Sequence, residues 1–357
     1  MTIADFKKLA SWFRVHQRCF PWRPPSSPYA AWVAEIMLQQ TQATVVIPYY
    51  KQWMQKFPTI SSLARAHPDD VIKAWEGLGY YSRARRLHAG AQFLVEHHQE
   101  NLPNDYDDLM KIKGLGDYTV CAILAFAFHK KIAAVDGNVL RVLARYLMIE
   151  EDITKTTVRR QIRTYANAHL PDHEPWIVTE ALIEWGACIC QPHPQCLRCP
   201  LQHNCQSYLH GVSDSLPIKR QSKKIVHLHR AVSILHYKHR FLIKRGQQGQ
   251  VMADLYEFPF FDIDGKSMTE AEHQKTILHH YHLRTTPLMF LKEQFHSYTH
   301  YCVRLFPRLF DCHEMKDIED HEWLSLQELQ QKAFSAGHRR ILNALKTVEI
   351  HHAYSSH

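Results

Sequence analysis

No run of apolar residues in this chain of 357 approaches the ~18 that a membrane span needs, so no membrane partner is expected. The opening Met1-Thr2-Ile3-Ala4-Asp5-Phe6-Lys7-Lys8 lacks the charged-then-apolar order of a signal peptide, and a cytoplasmic location is expected. Nine cysteines, an odd number in so long a chain, argue against a disulfide framework. There is no internal repeat and no long low-complexity tract, and strand-like alternation is scarce before about residue 210.

What is present suits two globular domains: the length is ample, and a hydrophobic fraction of 45% allows a sizeable core. A formal net charge of +8 favours a polyanionic partner, nucleic acid before an acidic membrane; a mildly basic protein with no such partner is the bland alternative. The 27 histidines read as scattered surface residues rather than metal sites.

Apolar 3.6-residue spacing predicts helices at 70–78, 118–128, 139–147, 158–170 and 176–187. The character changes between Ser213 and His227, where Leu216-Pro217-Ile218-Lys219-Arg220-Gln221-Ser222-Lys223-Lys224 reads as a basic linker. Beyond it, 231–237 and 241–245 flank a short polar turn as a hairpin does, and 301–310 is a further strand. Helical patterns return at 269–281 and 326–347. The expected layout is an all-α domain over 1–212, a linker over 213–227 and an α+β domain over 228–350.

Five cysteines fall between Cys188 and Cys205. Cys190, Cys196, Cys199 and Cys205 read C-x5-C-x2-C-x5-C, with Pro200 after the third. Four thiolates this close converge on one centre, zinc or a [4Fe–4S] cluster, and single-file spacing suits the cluster better than two separated pairs. Four unrelated buried thiols are the bland alternative, and Cys188 competes with Cys190 as first ligand.

Two carboxylates stand alone. Glu35 is the only charge between Arg23 and Lys51, inside the apolar Tyr29–Leu38 run. Desolvation there raises its pKa toward that of a general acid, unless an arginine pairs with it. Asp136 is the only charge between Lys131 and Arg141. Before Gly137-Asn138 it is an N-cap by local pattern. As a pair, one acid to protonate a leaving group and one carboxylate to support a cationic sugar match glycosidic-bond chemistry. Lys111-Ile112-Lys113-Gly114-Leu115-Gly116-Asp117-Tyr118 precedes an apolar helix, and such a turn presents backbone N–H groups to a phosphate or merely links two helices. Leu38–Gln42 and Gly77–Arg83 carry flat or wedge-like side chains of the kind that fill the gap beside a flipped base.

Pro21-Trp22-Arg23, Glu35-Ile36-Met37-Leu38-Gln39-Gln40-Thr41-Gln42, Gly77-Leu78-Gly79-Tyr80-Tyr81-Ser82-Arg83 and Asp136-Gly137-Asn138-Val139-Leu140-Arg141 occur in one order. Together they resemble the MutY-type adenine DNA glycosylases of the helix-hairpin-helix superfamily, over about 21–346. The resemblance implies an enzyme of base excision repair that removes adenine mispaired with 8-oxoguanine or guanine in double-stranded DNA and acts as a monomer. It implies a [4Fe–4S] cluster on Cys190, Cys196, Cys199 and Cys205, Glu35 as proton donor and Asp136 as stabiliser of the anomeric cation. Tyr118 stands where bifunctional relatives such as endonuclease III carry a lysine that forms a Schiff base, which implies a monofunctional enzyme. Arg23 and Glu180 match the adenine pocket. Gln40, Leu78 and Tyr80 match residues at the duplex, as do Lys113, Gly114 and Gly116 of the hairpin. The C-terminal domain resembles the family's Nudix-like domain, but without the run of arginine and paired glutamates that nucleotide hydrolysis needs. Tyr298, Thr299 and His300 match its 8-oxoguanine loop.

Departures are specific. The first cluster spacing is five residues rather than six, Lys113 replaces a proline, and Asp117 places a carboxylate where it faces a phosphate unfavourably. The 249–259 segment lacks the family's first Trp and Gly. The competing readings are a bifunctional endonuclease III-like glycosylase/lyase and a non-catalytic iron–sulfur DNA-binding protein.

Overall fold

The computed structural model describes the chain except for residues 26, 220–224, 248–251, 266, 299 and 355–357, and except for the side chains of 3 and 347–354. Much of the expected basic linker, part of the 249–259 segment and Thr299 therefore lie outside the described residues. Contacts divide the chain into two compact units, Met1–Arg65 with Arg86–Ser222 and Ala66–Arg85 with Lys223–His357. None of the described helices is long and apolar enough to cross a membrane.

The first unit is helical. Six of its helices carry the site: α1 Ile3–His16, α2 Pro28–Leu38, α3 Tyr106–Lys111, α4 Asp117–Phe126, α5 Gly137–Tyr146 and α6 Pro175–Cys188. Ser27 starts α2 by accepting from the Ala30 N–H at 3.1 Å, with Pro28 at the first helical position. Every residue of α2 from Tyr29 to Met37 is buried, so its one charge is surrounded by protein. Helices α1, α5 and α6 share a core that includes Phe13, Leu143 and Trp185. The helices predicted at 118–128, 139–147, 158–170 and 176–187 are observed within two residues of those bounds.

Residues 213–219, expected as linker, are laid on this helical unit. Leu216 is 4% exposed, its carbonyl accepts from Arg145 Nε at 2.8 Å, and the Ile218 carbonyl accepts from the Ile153 N–H at 3.1 Å.

The second unit is built on a mixed sheet: β1 Val226–Tyr237, β2 Arg240–Arg245, β3 Tyr256–Glu257, β4 Phe260–Ile263, β5 Thr285–Phe290, β6 Gln294–Tyr298, β7 Tyr301–Cys312 and β8 His321–Ser325. The strand order is β3-β2-β1-β7-β5, with β4 on β1, β6 on β7 and β8 on β2. Only β1 and β7 run parallel. Helix α7, Glu270–Tyr281, lays Ile277 on Leu235 and Phe310, while α8, Ala336–Tyr354, lays Ile341, Leu342 and Leu345 on Val303 and Leu305 of the opposite face.

Two expectations change here. The helical pattern at 326–347 is two helices, Leu326–Gln331 and α8. The chain leaves helical geometry between them because Phe334 is wholly buried beside Tyr256 and the Ala333 carbonyl accepts from the Tyr256 N–H at 2.8 Å. The 66–85 segment, read as part of the helical domain, packs inside this second unit. Glu76 Oε1 accepts from the Phe334 N–H at 2.9 Å and from Arg339 Nε at 2.6 Å, and Lys73 Nζ donates to the Gln330 and Lys332 carbonyls at 2.7 and 2.9 Å.

Candidate active site

Helices α2, α4, α5 and α6 surround one cleft of about 970 Å³. Glu35, Asp136, Tyr118, Arg23 and Glu180 all line it, together with Gln40, Gly114 and Gly116, so residues scattered over 158 positions meet at one place. Leu78 and Tyr80 belong to the other unit. There Leu78 is buried, whereas Tyr80 is exposed with φ +50° after Gly79. Lys113 is exposed but does not line the cleft.

The two carboxyls differ in their surroundings. Glu35 is 7% exposed, and its Oε2 has no hydrogen-bond partner. Burial pushes its pKa up to about 7; a hydrogen bond with Tyr118 pulls against this, and the nearby Asp136 and Glu180 add to it. Asp136 accepts three hydrogen bonds: from the Asn138 and Val139 N–H groups at 2.9 and 2.8 Å on Oδ1, and from Asn138 Nδ2 at 2.8 Å on Oδ2. Burial raises its pKa as well, but all three bonds favour the carboxylate. Asp136 is thus an N-cap and a cleft carboxylate at once; the local and the chemical readings describe the same atoms. Burial first, then the two carboxyls, holds the Tyr118 hydroxyl protonated.

On α6, Glu180 accepts from Arg23 Nε at 3.0 Å, and Glu184 accepts from Arg23 Nη1 at 3.2 Å and from Arg18. Burial pushes Glu180 up despite Arg23. At Glu184 burial also pushes up, but the two arginines outweigh it and hold the carboxyl low. Sequence reasoning missed Glu184 and Arg18. The signal was available, since Glu180 and Glu184 sit one turn apart in the apolar Trp176–Ala187 run, the same kind of isolation that marked Glu35.

At the hairpin, Gly114 has φ +96°, and a Cβ there would lie 2.5 Å from Arg86 Cβ, so both conformation and space require glycine. Gly116 is the N-cap of α4 and offers no side chain to the first turn, which leaves the helix's leading N–H groups open to an anion. The expectation for Asp117 needs correction. Its Oδ1 pairs with Arg163 and accepts from the Tyr106 hydroxyl at 2.5 Å, so its charge is compensated within the fold.

Cys190, Cys196, Cys199 and Cys205 line a single small cavity with Trp185 and Tyr146, and Cys188 does not line it. The Cys188 thiol instead faces Glu184 at 3.7 Å. A single bound ion needs its donors around one point at ~2.3 Å, and no group of three or more His, Cys, Asp or Glu meets that need among the described residues. All four thiols line one cavity, the soft donor set that an iron–sulfur cluster takes.

The loop is tied to the cleft through α5. Arg141 donates to the Cys190 and Gly186 carbonyls and to Asn138 Oδ1, each at 2.8 Å, and Asn138 in turn holds Asp136. Arg145 donates to the Gln191 and Pro192 carbonyls at 2.5 and 2.7 Å. Asp5 accepts from the Tyr146 hydroxyl at 2.7 Å and from Asn204 at 3.0 Å. Burial would raise Asp5, but the bonds from Thr2, Tyr146 and Asn204 bring it down to about 2. Gly186 lets α6 approach α5: a Cβ there would lie 2.7 Å from Asn138 Cβ.

Residues 33–167 match the model of the HhH-GPD superfamily of base excision DNA repair proteins, and 230–344 match the NUDIX domain. An adenine DNA glycosylase of Buchnera aphidicola subsp. Schizaphis graminum is 28% identical over 97% of this chain and 100% of its own length. The adenine DNA glycosylase of Mus musculus is 41% identical over 56% of this chain and 41% of its own length. Among solved structures, a thermostable thymine-DNA glycosylase superposes with a TM-score of 0.53 at 24% identity, over 58% of this chain and 96% of that one. A trapped endonuclease III–DNA covalent intermediate gives 0.52 at 23%, over 59% and 99%. These two likenesses show the fold. The chain thus carries a region that matches the HhH-GPD superfamily of base excision DNA repair proteins, followed by a region that matches the NUDIX domain, and the relatives it resembles along its length are adenine DNA glycosylases.

Proposed function

We propose that this protein is a monofunctional glycosylase that removes adenine lying opposite 8-oxoguanine or guanine in duplex DNA. The observation that carries the reading is the asymmetry of the two cleft carboxyls. Glu35 has an unpartnered oxygen and a pKa near neutrality, whereas Asp136 accepts three hydrogen bonds. Environments that push two acids apart assign the donor and the stabilising carboxylate.

The adenine, flipped from the stack, enters beside Arg23 and Glu180. Glu35 gives its proton to adenine N7 as the C1′–N9 bond breaks and the bonding pair leaves with the base. Asp136 faces the developing positive charge at C1′. Water then adds to C1′, and its proton returns to the Glu35 carboxylate. An abasic site remains. The described lining of the cleft contains no lysine, so no amine is placed to form a Schiff base, and Tyr118 serves as a hydrogen-bond partner of Glu35.

Cys190, Cys196, Cys199 and Cys205 would hold a [4Fe–4S] cluster, whose bonds to the thiolates fix the loop that α5 grips. Gly114, Gly116 and Lys113 take a DNA phosphate, and Gln40 and Tyr80 contact the duplex. Tyr298, Thr299 and His300 read the 8-oxoguanine, Tyr298 from the end of β6 and His300 from just before β7.

The test is single-turnover cleavage of a duplex with adenine opposite 8-oxoguanine, with and without alkali. Strand breakage only after alkali is expected. Breakage without alkali would establish the bifunctional reading instead, and no breakage by protein of full iron content would remove the catalytic assignment of Glu35 and Asp136.

A further inference from the structure

One face of the NUDIX-domain sheet is only partly covered. Along β7 the side chains alternate: Val303, Leu305 and Leu309 enter the core beneath α8, while Arg304, Phe306, Arg308 and Phe310 point to the other face. Helix α7 covers the Phe310 end of that face. Arg304, Phe306 and their neighbours lie beyond the helix. Phe295 of β6 is opposite Arg304, and Phe290 of β5 is opposite Arg308. Phe290 and Phe295 are 59% and 62% exposed, and neither they nor Phe306 belongs to either buried core of the unit.

Cations and rings interleave. The Arg304 guanidinium lies 5.3 Å from the Phe295 ring centre and 4.9 Å from that of Phe306, and His229 of β1 stacks on Phe306 at 6.4 Å. Arg308 lies 3.6 Å from the Phe290 ring centre. It is 3% exposed, yet its Nε and Nη1 have no hydrogen-bond partner and its Nη2 makes only a 3.4 Å contact with the Met268 carbonyl. The Phe290 ring thus lies over a buried guanidinium, which sets the plane of the ring. Among the described residues Glu293 pairs with Arg304 at 2.6 Å, and Glu270 acts on Arg308 through its charge.

We infer that this face is a stacking platform for single-stranded nucleic acid, separate from the duplex site of the helical unit. Flat rings set on an open sheet between arginines suit unpaired bases and a phosphate backbone together. Phe290 and Phe295 face β7 positions four residues apart, about 13 Å along the strand, with Phe306 between them, so the rings form a track rather than a single slot. Arg304, 40% exposed beside Glu293, is the cation that can meet a phosphate, and the rings select a polyanion whose bases are free to stack. A duplex, with its bases already stacked, gains only the charge term.

The test uses the full-length protein, a fluorescent oligothymidylate and anisotropy over a salt series, with Phe290→Ala and Phe295→Ala as separate variants. Both side chains are exposed, so melting temperature and adenine excision from duplex should be unchanged. Each variant is expected to bind the oligonucleotide about 5- to 100-fold more weakly. A photoreactive 5-iodouracil oligonucleotide should crosslink to peptides spanning 290–306. Unchanged affinity in both variants would overturn the inference and leave single-strand binding to the helical unit. If poly-glutamate binds with the same loss in the variants while oligothymidylate does not, the face is a protein-docking surface and the nucleic-acid assignment falls.

Discussion

In the helical unit the buried titratable groups at the cleft are carboxyls: Glu35, Asp136 and Glu180, each raised by burial. In the NUDIX unit imidazoles predominate, beside one carboxyl, Glu257, that burial also raises. Burial, helped by Arg308 at His273, by Arg340 and Arg230 at His296 and by His296 and Arg230 at His338, pushes His273 and His296 down to about 4 and His338 to about 3. Both units hold neutral groups inside, but they reach neutrality from opposite sides. Glu35, free at 4.5 and near 7 when folded, leaves the helical unit unstrained below 4.5 and costs stability as pH rises through 7. The three histidines cost nothing above 6.5. Below it the unfolded chain binds protons that the fold refuses, so the NUDIX unit weakens as pH falls toward 4. Asp5 is an exception within the helical unit, since its support is lost only as pH falls from 3.8 through about 2.

The sharpest way to break this comparison is Glu35→Gln. Excision should fall by about 10²–10⁴-fold, as for loss of a general acid. The variant should nevertheless melt higher than the unsubstituted protein above pH 7, because a buried ionisation has been removed. A lower melting temperature at that pH would mean that Glu35 is held by a charge partner and is no general acid. In the unsubstituted enzyme, single-turnover excision should decline above pH 7 as Glu35 loses its proton.

Next in size is Cys199→Ser. The iron and visible absorption of the proposed cluster should be lost, and the helical unit should be destabilised by several kcal/mol while the NUDIX unit keeps its transition. Full iron content in the variant would reassign the ligands. Glu76→Ala should destabilise the NUDIX unit by about 2 kcal/mol, since it strips Arg339 and the Phe334 N–H of their acceptor. Denaturant unfolding followed in that unit measures it. The smallest effect belongs to His338→Gln. It retains an acceptor for the Phe258 N–H, which His338 Nδ1 now meets at 3.0 Å, and it cannot titrate. Acid unfolding of the NUDIX unit should move to lower pH by about 1 unit or less. An unchanged acid transition would show that other groups set it.

The catalytic cleft was more legible in the sequence than the sheet around which the second unit is built. A single charge inside an apolar helical run is visible at a glance, and Glu35 and Asp136 announced themselves that way. The cysteine spacing was legible for the same reason, and the fold adds that Cys190 lines the cavity with Cys196, Cys199 and Cys205 while Cys188 does not. What stayed hidden depended on long-range pairing. Strands β5, β6 and β8 are short or carry proline and charge, so neither period nor propensity separates them from loops; they exist because β7 and β2 supply the partners. The Ala66–Arg85 segment reads as helical and is partly so, but nothing local tells Glu76 that its partners lie some 258 to 263 residues ahead. Arg141 and Arg145 look like the outer face of an amphipathic helix, and only the folded loop gives them carbonyls to hold.

Gly186 has a consequence for inherited or laboratory variation in this chain. Replacing glycine by alanine in mid-helix is ordinarily a gain, and any scheme that ranks substitutions by chemical severity places Gly186→Ala among the mildest. Here the added methyl would meet Asn138 at 2.7 Å, where backbone atoms of the same residue at 3.1 Å leave no flexible end to yield. Asn138 would be displaced from Asp136, and the damage would surface at that carboxylate, through Asn138 rather than by direct contact. Gly186→Ala would therefore disturb the packing of α6 on α5 and the support of Asp136 together, a severe outcome from a mild-looking change.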